Sequence, residues 1–219
     1  MKTTFSASGL SMALMALVTA AAAAQPLPFD DFRQGDLIFQ ETTGRQSLAV
    51  KAATGSDYTH VGIVRLTGGG PVVIEAGRVV AETDIEDFVA RGKGGRFAVY
   101  RLNGLTEAKA HRIIDEAYKD MDKPYDLYFR LDASAIYCSE LPYRAFKAAG
   151  VSIGTVEKVG NLKINIASAV ALIDSRWKKH PDCAGGTKEA CLKKLDNQDI
   201  VTPISIARDK QLKQVFSNF

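Results

Sequence analysis

Three cysteines in 219 residues are too few for a disulfide-dense scaffold or a four-thiolate metal site. Three histidines limit a histidine-based metal centre just as tightly. Basic residues only slightly outnumber acidic ones, 28 against 25, and form no run, so a nucleic-acid partner is not expected. Seven prolines and eighteen glycines exclude a collagenous or low-complexity chain. Beyond the first 24 residues no apolar run is long enough to span a bilayer. What is present is a globular composition, 46% hydrophobic and 24% charged, long enough to bury a sizeable core.

The first residues have a different character. Lys2 is the only charge before Asp30, an apolar stretch runs from about Leu10 to Val18, and Ala22-Ala23-Ala24 supplies small residues. This reads as a secretory signal peptide cut after Ala24. The stretch is shorter than the ~20 residues of a spanning helix, and no cysteine follows it to carry a lipid. The expected product is a single domain over residues 25–219, periplasmic or secreted, with no membrane anchor after cleavage.

Along that domain, alternation and β-rich composition predict strands at Asp36–Gln40, Tyr58–Leu66, Val72–Ala76 and Arg96–Leu102, with Val79–Ala81 as an extension. Helical spacing marks Gln46–Thr54, Asp84–Ala90, a helix from Thr106 to Lys123-Pro124, Tyr137–Ala149 closed by Gly150, and Ile166–Trp177. His180–Lys194 is polar and reads as a surface loop or short helix. Strands and helices in mixed order give an α+β class.

Cys138 stands at the predicted start of a helix, where free N–H groups and the helix dipole lower a thiol pKa and can hold an oxyanion. By itself it is either such an activated thiol or an inert buried one. His60 and Glu75 each sit in an apolar strand, and a carboxylate buried there needs a partner. Hairpin geometry joins them. With Thr67–Gly70 as the turn, Leu66 opposes Pro71 and Glu75 opposes Gly62. His60 is two positions from Gly62 on the same face, a diagonal neighbour of Glu75, and Gly62 leaves the space open. Cysteine, histidine and an orienting carboxylate make a nucleophilic constellation.

Cys183 and Cys191 lie close together in a polar segment with Gly185 and Gly186. In an oxidising compartment they are expected to pair as a disulfide, leaving Cys138 as the free thiol. A metal pair is the alternative, with His180 as its one nearby histidine. His111 and His180 are expected at the surface.

The series GDLIFQ, THVGIV and VVIEA resembles the strands of the NlpC-type papain-like cysteine hydrolases. There the cysteine helix usually precedes the strands, whereas YCSEL follows them here, so the order resembles the circularly permuted, YiiX-like branch, related to the lecithin-retinol acyltransferase type. The resemblance runs from about Gly35 to Gly150, with VTPISIA as a further match. It implies a permuted papain-like fold, a small antiparallel sheet or half-barrel packed against helices. It implies Cys138 as nucleophile, His60 as base and Glu75, where relatives often carry histidine, as the orienting group. Tyr58 matches a position near the site, either assisting the oxyanion or packing. Gln46 is placed in the pocket. Asp126 and Glu140 match as structural or pocket-lining residues. The implied activity is hydrolysis of an amide through a thiol acyl-enzyme, without cofactor or metal. Its substrate would be a peptide amide of cell-wall material such as peptidoglycan fragments. An acyltransferase or a lipid N-acyl amide hydrolase is the alternative enzyme. A non-catalytic binding module is the alternative of another class, and the presence of all three residues argues against it.

Overall fold

In chain order the elements are β1 (Leu37–Gln40), α1 (Arg45–Thr54), β2 (His60–Thr67), β3 (Gly70–Ala76), β4 (Val80–Asp84), α2 (Ile85–Arg91), β5 (Phe97–Leu102), α3 (Glu107–Tyr118) and α4 (Glu140–Ala148). There follow β6 (Val156–Lys158), α5 (Ala167–Arg176), α6 (Lys188–Asp196), β7 (Asp199–Val201), α7 (Pro203–Ala207) and β8 (Leu212–Ser217). This computed structural model describes residues 29–132 and 134–219; the signal peptide expected over residues 1–24 lies outside them. Among the described residues, no helix is long and apolar enough to cross a membrane.

Six strands form an open antiparallel sheet in the order β4-β3-β2-β1-β5-β8, and β6 and β7 make a separate pair. The α+β architecture thus has an unclosed sheet. Period-two alternation sends successive side chains to opposite faces. Leu37, Phe39, Val61, Ile63 and Ile74 pack on Ile113 and Ile114 of α3 and Leu141 and Phe146 of α4. Ile38, Val64, Val73 and Val99 pack on Ile85 and Phe88 of α2. A sheet covered on both sides explains why its strands read as near-continuous apolar runs.

The β2–β3 hairpin has the register the turn implies: Leu66 opposes Pro71, Val64 opposes Val73 and Ile63 opposes Ile74. Gly62 is required by close approach, since a Cβ there would overlap the Val73 side chain and meet Ile74 O at 3.0 Å. Several boundaries differ from the sequence reading. The α3 helix ends at Tyr118, before Pro124, which instead bridges Val79. The α4 helix begins at Glu140, so Cys138 lies just ahead of the Ser139 cap rather than within the first turn. The β8 strand was not foreseen; it pairs β5 through non-local contacts that no short window of sequence displays.

Candidate active site

The β2 strand delivers His60 at its first residue, and β3 delivers Glu75 one residue from its end. His60 Nε2 lies 2.5 Å from Glu75 Oε2. Both share the α2 face of the sheet, where the His60 ring packs on Phe88. Glu75 is buried, and its other oxygen accepts from Thr83 Oγ1 at 2.6 Å and from Arg91 on α2. Burial would raise the Glu75 pKa, but His60, Thr83 and the charge of Arg91 outweigh it and bring it to about 2. The carboxylate is therefore fixed in place and ionised.

Cys138 reaches the same point from the opposite side. Glu140 and Leu141 direct their N–H groups to Tyr137 O, and Ser139 Oγ donates to Val201 O of β7 at 2.9 Å. This pins the thiol ahead of the α4 N-terminus, 3.9 Å from Thr59 O, next to His60. Burial pushes the thiol pKa up; contact with the His60 imidazole and hydrogen bonds involving Tyr125 and Ser139 pull it down, and the net shift is downward. For His60, burial opposes the charged ring, while Cys138 and Glu75 favour it and carry its pKa up to about 9. The two shifts run in opposite directions, toward thiolate at Cys138 and imidazolium at His60. With Nε2 on Glu75, Nδ1 is the nitrogen left for the thiol.

Tyr125, which lies in a segment matching the resembled family but was assigned no role from the sequence, is a site residue. Its backbone is held by Arg78 O and by a bridge to Ile136, which place its hydroxyl 4.0 Å from Cys138 Sγ. Gln46 Nε2 donates to that hydroxyl at 2.8 Å, and Gln46 Oε1 accepts from Arg176 of α5 at 2.9 Å. Burial and the thiol's charge hold the Tyr125 pKa well above its usual value, so the hydroxyl keeps its proton to donate. The only signal in the sequence was its place in Lys123-Pro124-Tyr125-Asp126.

Other candidates stand elsewhere. Tyr58 packs against Phe39, Tyr100 and Phe219, with its hydroxyl 3.3 Å from that of Tyr100, so it is a packing tyrosine and not an oxyanion donor. Asp126 shapes its own loop by accepting from the Tyr128 and Arg130 N–H groups. Glu140 faces away from the thiol into a depression with Asp120 and Arg144; burial raises its pKa to about 8. His111 is exposed, but His180 is buried, contrary to expectation. Its Nε2 lies 3.2 Å from Gln198 Oε1, its Nδ1 accepts from Asp182 N, and its ring packs on Tyr128. Cys183 and Cys191 form the disulfide.

Two spaces meet at the site. His60 lines a cleft with Thr42, Gln46, Ser47, Arg78 and Tyr125. Cys138 lines a second, apolar cavity beneath α1, α5 and α6, and Thr59 and Leu127 border both.

A family model described as permuted papain-like amidase enzyme, YaeF/YiiX, C92 family, matches residues 31–216. The chain belongs to this permuted papain-like amidase family. It is 30% identical over 148 residues to the uncharacterized protein YiiX of Escherichia coli (strain K12), covering 67% of this chain and 73% of that one. Its fold resembles the crystal structure of a protein described as metalloprotein yiiX from Escherichia coli O157:H7, with a TM-score of 0.76, 26% identity, and coverage of 85% of this chain and 98% of that chain. Membership of the permuted papain-like amidases supports a cysteine-hydrolase kind of function. The residues present do not fit a metal centre. Among the described residues no group of three or more His, Cys, Asp or Glu is placed to hold an ion, and the Glu75 oxygens already face His60, Thr83 and Arg91.

Proposed function

We propose that the protein is a cysteine amidase that cleaves an amide through an acyl-enzyme on Cys138. The observation that carries this reading is the buried contact series Cys138–His60–Glu75, in which Glu75 fixes and charges the imidazole beside a thiol of lowered pKa. In acylation the Cys138 thiolate attacks the amide carbonyl carbon. The negative charge passes to the carbonyl oxygen, which the Cys138 N–H and the Tyr125 hydroxyl stabilise. His60 gives its proton to the departing nitrogen as the C–N bond breaks, leaving a thioester and a free amine. In deacylation neutral His60 takes a proton from water, the hydroxide attacks the thioester, and the carboxylic acid leaves as the thiol is restored. Net, one water is consumed and one acid and one amine are released.

Export to an oxidising compartment belongs to the same proposal, and the Cys183–Cys191 disulfide supports it. Two substrate classes follow from the sequence, cell-wall peptides and N-acyl amides. The test of the chemistry is independent of both. Iodoacetamide should label Cys138 at neutral pH faster than a free model thiol, and His60→Ala should slow it. Labelling no faster than the model thiol would sink the hydrolase reading. Assays on muropeptides and on N-acyl amides, with Cys138→Ala as control, then separate the substrate classes.

A further inference from the structure

The cleft that His60 lines encloses about 430 Å³, and no Asp or Glu stands in its wall. Most of its polar side chains are engaged within the protein. Thr42 Oγ1 meets Ser47 Oγ and lies 3.3 Å from Thr59 Oγ1, while Gln46 donates to Tyr125 and accepts from Arg176. Arg78 is the exception. It is exposed, and among the described residues no carboxylate pairs with it. Other cations around the site are committed: Arg91 to Glu75, Lys123 to Asp120, and Arg176 to Gln46 and Leu127 O. The Arg78 backbone is held in position. It follows Glu75 by three residues, in a turn closed by the Gly77 N–H on Val79 O at 3.0 Å. Its own carbonyl accepts the Tyr125 N–H at 3.1 Å, and Val79 bridges Pro124. The strand that carries Glu75 and the segment that carries Tyr125 thus meet at this arginine.

The direction of the reaction decides which half of a substrate meets it. His60 must protonate the leaving nitrogen, so the amine half of the amide lies on the His60 side, in the cleft that Arg78 lines. A guanidinium without a counter-charge, in a wall without carboxylates, attracts an anion. Its planar fork matches a carboxylate through two parallel N–H···O bonds. Resting on the hydrolase reading above, we propose that Arg78 is a specificity-determining residue that binds a carboxylate on the amine half of the substrate. The nitrogen of the cleaved amide then belongs to an amino acid with a free carboxylate, such as the carboxyl-terminal residue of a peptide. An amine half carrying an ammonium group would instead meet the like charges of Arg78 and the His60 imidazolium, which disfavours it. Hydrolysis at Cys138 breaks the C–N bond with one water. The acyl half leaves as a carboxylic acid, and the amino acid is released with its own carboxylate unchanged.

The experiment compares kcat/KM on benzoyl-alanine, benzoyl-alaninamide, benzoyl-phosphoethanolamine and benzoyl-ethylenediamine, which share one acyl half, with Cys138→Ala as control. The free acid should exceed the alaninamide by about tenfold or more, as for a hydrogen bond between charged groups, and the ratio should shrink as salt rises. Arg78→Ala should bring the ratio to about 1, and Arg78→Lys should keep part of it, since a point charge replaces the fork. Arg78→Glu should turn the preference toward the ethylenediamine compound. Arg112→Ala removes another exposed arginine that has no ion-pair partner among the described residues, on α3, and should leave the ratio as it is. A wild-type acid-to-amide ratio of about 1 overturns the proposal, as does an equal fall in Arg112→Ala, which reduces the effect to net charge. A higher rate on the phosphate compound than on the acid overturns the carboxylate. Labelling of Cys138 gives a readout that needs no turnover: Arg78→Ala should lower the iodoacetate-to-iodoacetamide rate ratio about threefold. If none of the amides is turned over, that ratio decides alone, and a ratio unmoved by Arg78→Ala sinks the proposal. If iodoacetamide still labels Cys138 rapidly, the amidase reading survives each of these failures. If Cys138 is no faster than a model thiol, both readings fall.

Discussion

Around His60 the walls are closed. Val61, Ile63, Val64, Val73, Ile74 and Phe88 are buried without remainder, and paired strands flank the histidine strand on both sides. The roof over the thiol, from α5 through α6, is assembled differently. Its buried residues are few: Ala169, His180, Cys183, Cys191 and Leu195, with Ile173, Trp177 and Leu192 half-covered beside them. The sheet region draws its stability from contacts shared with two core clusters, whereas the roof relies on a disulfide and on its packing against α1. Such a small core leaves the roof to open at lower free energy than the sheet. The proposed chemistry thus falls in the rigid part, where a misplacement of 1 Å would be costly, beneath a softer roof.

If this division holds, changes in the sheet region should affect chemistry most. His60→Ala removes the proton carrier and should lower kcat/KM by ~10³ or more, measured on any accepted amide. Glu75→Gln keeps the shape but loses the charge, and a fall of about 10²-fold is expected. Its pH profile is the sharper readout. The folded His60 pKa is raised from 6.5 to about 9, so the interaction is fully present below pH 6.5 and is lost as pH rises through about 9. Acylation needs the protonated ring, so the wild-type alkaline limb should fall near pH 9, and Glu75→Gln should move that limb to lower pH. A limb that stays put would detach Glu75 from the imidazole. Gly62→Ala forces a Cβ against Val73 and should cost about 1–3 kcal/mol by thermal or urea unfolding, with a loss of activity as β3 shifts.

The same division explains what could be read from the sequence. A hairpin is local: the Thr67–Gly70 turn sets the register, period-two alternation sets the face, and His60 and Glu75 follow. The helix starting at Thr106 was legible because its cap and apolar stripe lie within twelve residues. The tyrosine beside the thiol was not. Tyr58 and Tyr125 both flank site segments, but which one faces Cys138 depends on a bridge from Tyr125 to Ile136 and on the Phe39–Tyr100 cluster that captures Tyr58. Neither contact has a sequence signature. The roof was read only as a helix followed by a polar loop or short helix, because its inward face is completed by α1, some 120 residues away. His180 was misplaced for the same reason: its partners Gln198 and Tyr128 arrive from separate loops.

Smaller effects are expected where roof and site are joined. Tyr125→Phe removes one oxyanion donor while Gln46 and Arg176 remain, and a loss of about 10-fold in kcat is expected with KM little changed. The smallest chemical effect should come from Cys183→Ser with Cys191→Ser. A loop of this length contributes about 2–3 kcal/mol in the chain-entropy view. Because α6 touches the sheet little, that loss should appear as local opening. Hydrogen exchange should accelerate over α5 and α6 but not over β2 and β3, and Cys138 labelling should change less than threefold. Uniform acceleration across both regions would show that roof and sheet unfold as one unit, and the distinction between a rigid part and a softer roof would then be abandoned.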